Sequence, residues 1–227
     1  MNEKAGTSFV YFVSRSLLDR NLGQMIQELE ALKIIPVVAI HDADHAAPLA
    51  EALVAGGLPV AEVTLRTDAG LDAIAKLAKV ENFLIGAGTV HSSDDAKQVA
   101  DAGAKFVVTP GFNPKTVQWC LDNDMPIFPG ISSPTDLETA LEFGLEVVKF
   151  FPAERNGGIP MLKALQGPYG GIRFIPTGGI NSENIAEYLA LPSVVACGGS
   201  WMVKSDMIAA GQFDQITDIT KTALAAC

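Results

Sequence analysis

A single lysine stands inside an otherwise apolar run, Val147-Val148-Lys149-Phe150-Phe151-Pro152. β-Branched and aromatic residues at that density predict a buried strand, and Pro152 closes it because proline has no N–H to give a neighbour. An ammonium on such a strand loses its hydration, so it either finds a partner or is held as a neutral amine. A neutral amine adds to ketones and condenses to a Schiff base. The plainer alternative is a lysine that faces solvent or snorkels past a sheet edge.

A second constellation is Glu62, Thr64 and Arg66. Their period of two puts all three on one face of a strand, with Val63 and Leu65 on the other. If the apolar face meets a layer of helices, the polar face points inward, where an acid and a guanidinium are costly unless paired or used. A Glu62–Arg66 ion pair is one outcome, and an arginine fork for a carboxylate ligand is the other. A third run ends Gly86-Ala87-Gly88-Thr89. Glycines there either permit something to approach the backbone closely or mark a bulge, and Thr89 offers a hydroxyl and an amide. Glycine pairs at Gly178-Gly179 and Gly198-Gly199, the second followed by Ser200, would bare backbone amides. A short helix starting near Ser200 would add its positive end, which together make a phosphate seat. His41 and His45 lie four apart with Asp42 and Asp44 between them, a spacing a metal could use on a helix. The segment falls between a strand and a helix, where such residues cap, and no metal is expected.

The elements that must position these groups follow a regular beat of short apolar run, turn and amphipathic helix. Eight runs can be read, at 34–40, 61–66, 83–89, 106–110, 126–131, 147–151, 173–177 and 194–197. Helical patterns span 46–55, 71–78, 94–102, 115–122 and 135–143, with Asp68, Ser92, Asn113 and Ser182 as candidate caps and Gly56, Gly103 and Gly144 as candidate stops. Strict alternation implies parallel strands, and eight units close a (β/α)8 TIM barrel. An open doubly wound sheet is the competing arrangement, but no G-x-G-x-x-G opens the first helix. Residues 1–15 read as an N-terminal arm, and 16–227 as a single barrel domain that includes an extra N-terminal helix carrying Leu18, Leu22, Met25, Ile26, Leu29 and Leu32. In such a barrel the site lies where the C-terminal ends of the strands feed their loops.

The 227 residues are 48% apolar and 19% charged, with no linker or low-complexity tract, so the chain is expected to be globular throughout. A net charge of −10 without a basic stripe argues against nucleic acid and anionic membrane surfaces, so an anionic ligand must be held locally. Cys120, Cys197 and Cys227 are odd in number and far apart, which suits a reducing cytoplasm better than a disulfide framework. No apolar run is long enough to span a membrane, and no export signal is read at the N-terminus.

Taken together, Glu-Val-Thr-Leu-Arg-Thr (62–67), Gly-Ala-Gly-Thr-Val (86–90), Lys-Phe-Phe-Pro-Ala-Glu (149–154), Pro-Thr-Gly-Gly-Ile (176–180) and Gly-Gly-Ser-Trp (198–201) resemble the 2-keto-3-deoxy-6-phosphogluconate (KDPG) aldolase family over residues 34–211. The resemblance implies a cofactor-free, metal-independent class I aldolase on a barrel, assembled as a homotrimer, with a phosphorylated 2-keto acid as substrate. It makes Lys149 the Schiff-base residue and Glu62 the general acid/base. Arg66, Thr89, Pro110 and Phe151 would surround the pyruvyl carboxylate, and Thr177, Gly178, Gly179, Gly199 and Ser200 the phosphate. Aldolases for 4-hydroxy-2-oxoglutarate (KHG) or for the 6-phosphogalactonate epimer are the alternatives, as are a phosphate-binding barrel isomerase or synthase and a silent sugar-phosphate binder. Arg155 and the long segment before Ile34 depart from a compact member of the family.

Overall fold

The computed structural model describes residues 22–227, so the expected arm at 1–15 and the first expected turns of the N-terminal helix lie outside the described residues. Residues 22–32 form helix α1. The strands are β1 (Ile34–Val38), β2 (Val60–Thr64), β3 (Leu84–Gly88), β4 (Phe106–Val108), β5 (Ile127–Phe128), β6 (Gly130–Ile131), β7 (Val147–Phe150), β8 (Arg173–Pro176) and β9 (Cys197–Gly199). The helices after α1 are α2 (Ala46–Ala55), α3 (Gly70–Leu77), α4 (Ser93–Asp101), α5 (Pro114–Asp122), α6 (Pro134–Glu142), α7 (Gly158–Gln166), α8 (Ile185–Leu189), α9 (Ser205–Ala209) and α10 (Phe213–Ala225).

β5 and β6 are one strand position interrupted at Pro129, which cannot donate to the ladder, so the nine segments occupy eight positions. The parallel order β5-β4-β3-β2-β1-β9 continues as β6-β7-β8, and parallel bridges Phe174↔Val194 and Thr177↔Gly198 join β8 to the last strand. That closure excludes the open sheet. The expected eighth run at 194–197 contributes only its end, because β9 proper is Cys197–Gly199.

Two apolar clusters follow from strand alternation. Val63, Ile85, Ala87, Val107, Val148 and Phe150 point outward and pack with the helices. Ile35, Val60, Phe106, Val108, Phe128, Val147, Ile175 and Val195 fill the ring, and Ile26 and Leu29 of α1 join them. α1 thereby plugs the N-terminal end of the barrel, held also by Glu30 to Arg173 at 3.2 Å. Burying each of those two aliphatic side chains contributes roughly 1.5–3 kcal/mol.

Local signals account for most helix starts. Ser92 and Asn113 cap α4 and α5 as expected. Ser133, with Pro134 at the first turn and Asp136 completing a capping box, caps α6 without having been singled out. Asp68 and Ser182 cap nothing, because α3 begins at Gly70 after Ala69 and α8 at Ile185 after Asn184. Gly103 and Gly144 take left-handed φ at helix ends, whereas after α2 that role falls to Gly57, not Gly56.

Candidate active site

Inward-pointing positions on β7 alternate as Val147 then Lys149, and on β2 as Val60 then Glu62. Lys149 and Glu62 therefore sit one layer above the apolar plug, toward the C-terminal mouth. They meet there: Lys149 Nζ is 3.1 Å from Glu62 Oε1, with side-chain exposures of 6% and 4%. The lysine thus finds a partner, and its ammonium also faces the Phe151 ring, 5.3 Å from the centroid. Two charges this far from water are costly in isolation, and a single proton moved from nitrogen to oxygen removes both.

Space around the pair comes from glycines on adjacent strands. Gly130 is the β6 partner of Lys149 in register, and a Cβ on it would overlap the Pro110 carbonyl. A Cβ on Gly88 would overlap the Glu62 carboxylate, and one on Gly86 the Phe106 ring. The β3 glycines thus make room for the protein's own side chains. Gly88→Ala is expected to push Glu62 off Lys149 and lower turnover about 100-fold with the far-UV circular dichroism unchanged, since ångström displacements of a reacting group cost that much.

Arg66 is not on the strand. β2 ends at Thr64, residues 65–69 turn, and Arg66 is exposed there. The period-two reading that sent it into the barrel runs past the strand's end. Arg66 is anchored all the same: its Nε donates to Thr64 Oγ1 at 3.1 Å, and that hydroxyl donates to the Val38 carbonyl at 2.8 Å. Nor does Glu62 pair with Arg66, since its partner is Lys149, 87 residues away. Thr89 follows β3 with φ of 59°, a left-handed conformation that a β-branched residue adopts only under constraint. Pro110 follows β4 half-buried, and the buried Thr109 before it accepts from Gly130 N–H at 3.3 Å and donates to the Gly111 carbonyl at 2.6 Å.

The glycine pair after β8 is held from one side. Ala153 N–H donates to the Thr177 carbonyl at 2.8 Å and Glu154 N–H to the Gly178 carbonyl at 3.1 Å. In a trans peptide the carbonyl and the following N–H point oppositely, so the Gly178 and Gly179 amides face away from the β7 loop. On that side lie β9 and Ser200, and Thr177↔Gly198 fixes the spacing. Gly178 and Gly179 have φ of 99° and 87°, where side chains are strained. The Gly178 amide meets the last strand in the Thr177↔Gly198 bridge, whereas among the described residues the Gly179 and Ser200 amides donate to no backbone carbonyl. The expected helix at Ser200 does not form. Residues 201–203 turn instead, with Val203 N–H on the Ser200 carbonyl at 3.1 Å, and α9 starts only at Ser205. Gly199 is covered by the Trp201 ring.

The histidine segment does other work. Asp42 caps a short 3-10 turn, Asp44 pairs with Lys76, and the His45 ring packs 5.9 Å from that of Phe213. Among the described residues no group of three His, Cys, Asp or Glu is arranged to hold a metal ion.

A closed eight-strand α/β barrel with a buried lysine and carboxylate at the mouth of the strands offers the groups a Schiff-base lyase needs, and the family match makes the class a carbon–carbon lyase, an aldolase. The chain belongs to the KDPG and KHG aldolase family, whose model matches residues 25–219. It is similar to the 2-dehydro-3-deoxy-phosphogluconate aldolase of Treponema pallidum, 51% identical over 88% of this chain and 96% of that one. Its fold is similar to KDPG aldolase of Legionella pneumophila with pyruvate captured as a covalent carbinolamine intermediate, at TM-score 0.83 and 41% identity over 86% of this chain and 96% of that one. The 2-keto-3-deoxy-6-phosphogluconate aldolase of Zymomonas mobilis with 3-phosphoglycerate matches at TM-score 0.83 and 38% identity over 89% and 96% of the two chains.

Proposed function

We propose that this chain cleaves 2-keto-3-deoxy-6-phosphogluconate to pyruvate and glyceraldehyde 3-phosphate through a Schiff base on Lys149. The observation that carries the reading is the buried 3.1 Å contact between Lys149 Nζ and Glu62 Oε1. Glu62 takes the ammonium proton, and the neutral amine adds to the C2 ketone. Glu62 then returns the proton as the carbinolamine hydroxyl leaves as water. The resulting iminium accepts the electron pair of the C3–C4 bond while the Glu62 carboxylate removes the C4 hydroxyl proton. Glyceraldehyde 3-phosphate departs, Glu62 protonates the enamine at C3, and hydrolysis frees pyruvate. The carbinolamine trapped in the Legionella relative supports this route.

Arg66, Thr89, Pro110 and Phe151 hold the pyruvyl end, and the amides of Gly178, Gly179, Gly199 and Ser200 with the Thr177 hydroxyl hold the phosphate. Arg66→Ala is expected to raise the pyruvate concentration giving half-maximal borohydride inactivation by about 10–100-fold, the worth of a charge-assisted contact. The discriminating assay is kcat/KM for KDPG against 4-hydroxy-2-oxoglutarate and the 6-phosphogalactonate epimer. A preference for the unphosphorylated acid would favour the KHG reading.

The assembly that goes with this function is a homotrimer of 23.9 kDa chains working in the cytoplasm, with sedimentation equilibrium as the check. Supporting the location, all three cysteines are free and Cys120 and Cys197 are buried, and no described helix is long and apolar enough to cross a membrane.

A further inference from the structure

Glu154 ends the 149–154 motif and has no part in the imine cycle. Its carboxylate nevertheless accepts the hydroxyl of Tyr188, a phenol of 0% exposure on α8. Burial, and then the Glu154 carboxylate, push the Tyr188 hydroxyl well above the usual phenol range. The stem of Glu154 lies so close over Gly179 that a Cβ there would overlap its Cβ and Cγ. On the other side, a Cβ on Gly158 would come 3.0 Å from the Tyr188 hydroxyl and 3.1 Å from Glu154 Oε1. Gly179 itself is restrained at its carbonyl by Asn184 Nδ2 at 3.1 Å, and the Glu154 N–H holds the Gly178 carbonyl. The Glu154 side chain thus joins Tyr188 of α8 to Gly179, while its backbone N–H holds Gly178.

We infer that Glu154 is a positioning residue that, braced by Tyr188, fixes the Gly178–Gly179 amides for the phosphate end of the substrate and so sets the preference for phosphorylated acids. The inference rests on the phosphate seat proposed above. A carboxylate near a dianion is unfavourable by its charge alone, so its place there is explained by what it holds.

Competitive inhibition by inorganic phosphate, KM for KDPG, and pyruvate-dependent borohydride inactivation are measured in wild type, Glu154→Ala, Glu154→Gln and Tyr188→Phe. Glu154→Ala is expected to raise KM for KDPG and the phosphate inhibition constant about tenfold, equivalent to roughly 1.4 kcal/mol, with the pyruvate dependence unmoved. Glu154→Gln keeps the acceptor for Tyr188 without the charge and is expected to restore phosphate affinity to the wild-type value or better. Tyr188→Phe should follow the alanine variant. Equal losses toward phosphate and pyruvate, or no rescue by glutamine, would overturn the positioning role while leaving the seat standing. Wild-type enzyme indifferent to inorganic phosphate would overturn the seat, and the inference with it.

Discussion

Replacing Lys149 by alanine is expected to lower pyruvate release from KDPG by at least about 10⁴-fold, because the proposed cycle uses this amine for the imine that serves as electron sink. Lys149→Arg should be as inactive, although it leaves Glu62 facing a cation, since a guanidinium does not condense with a ketone. The two variants differ in stability. Alanine strands the carboxylate of Glu62, 3% exposed, without a partner, and breaking a buried pair from one side costs about 3–5 kcal/mol. Removing both charges in a Lys149→Met, Glu62→Gln double variant should recover most of that loss in urea unfolding. Activity that survives Lys149→Arg would show that the amine is not the nucleophile.

Glu62→Gln is the second large effect. Glutamine fills the space over Gly88 but takes no proton, so proton transfer at C3 and at the C4 hydroxyl should slow by about 10²–10⁴-fold. The cleanest readout is exchange of the pyruvate methyl protons in deuterated water, followed by proton NMR, because it needs imine and enamine but no carbon–carbon cleavage. Borohydride capture of pyruvate should persist, at reduced rate. Exchange at wild-type speed would remove Glu62 from the acid/base role and leave it only the task of pairing with Lys149.

The sequence displays the barrel clearly because each strand is a short apolar run and each helix an amphipathic one, and both patterns are local. Lys149 stood out for the same reason, as the polar residue in a run whose neighbours Val148 and Phe150 face the helices. The partner of Glu62 was not local. β2 and β7 come together across the ring only when it closes, so the nearby Arg66 was the pairing that could be weighed. Arg66 was misplaced because alternation extends only to the end of a strand, and nothing in Leu65-Arg66-Thr67 marks β2 as stopping at Thr64. The glycines of β3 were legible as places of close approach, but what approaches is the Glu62 carboxylate and the Phe106 ring, partners set by packing. Glu154 and Tyr188 are 34 residues apart on different elements, and no spacing rule joins them.

Reduction of the enzyme with borohydride in the presence of pyruvate, followed by peptide mass mapping, identifies the amine that forms the imine. One covalent pyruvyl adduct is expected, on Lys149, absent in Lys149→Arg and unaffected by chelator. An adduct on Lys105 or Lys163, or inactivation by borohydride that does not depend on pyruvate, would contradict the Lys149 assignment.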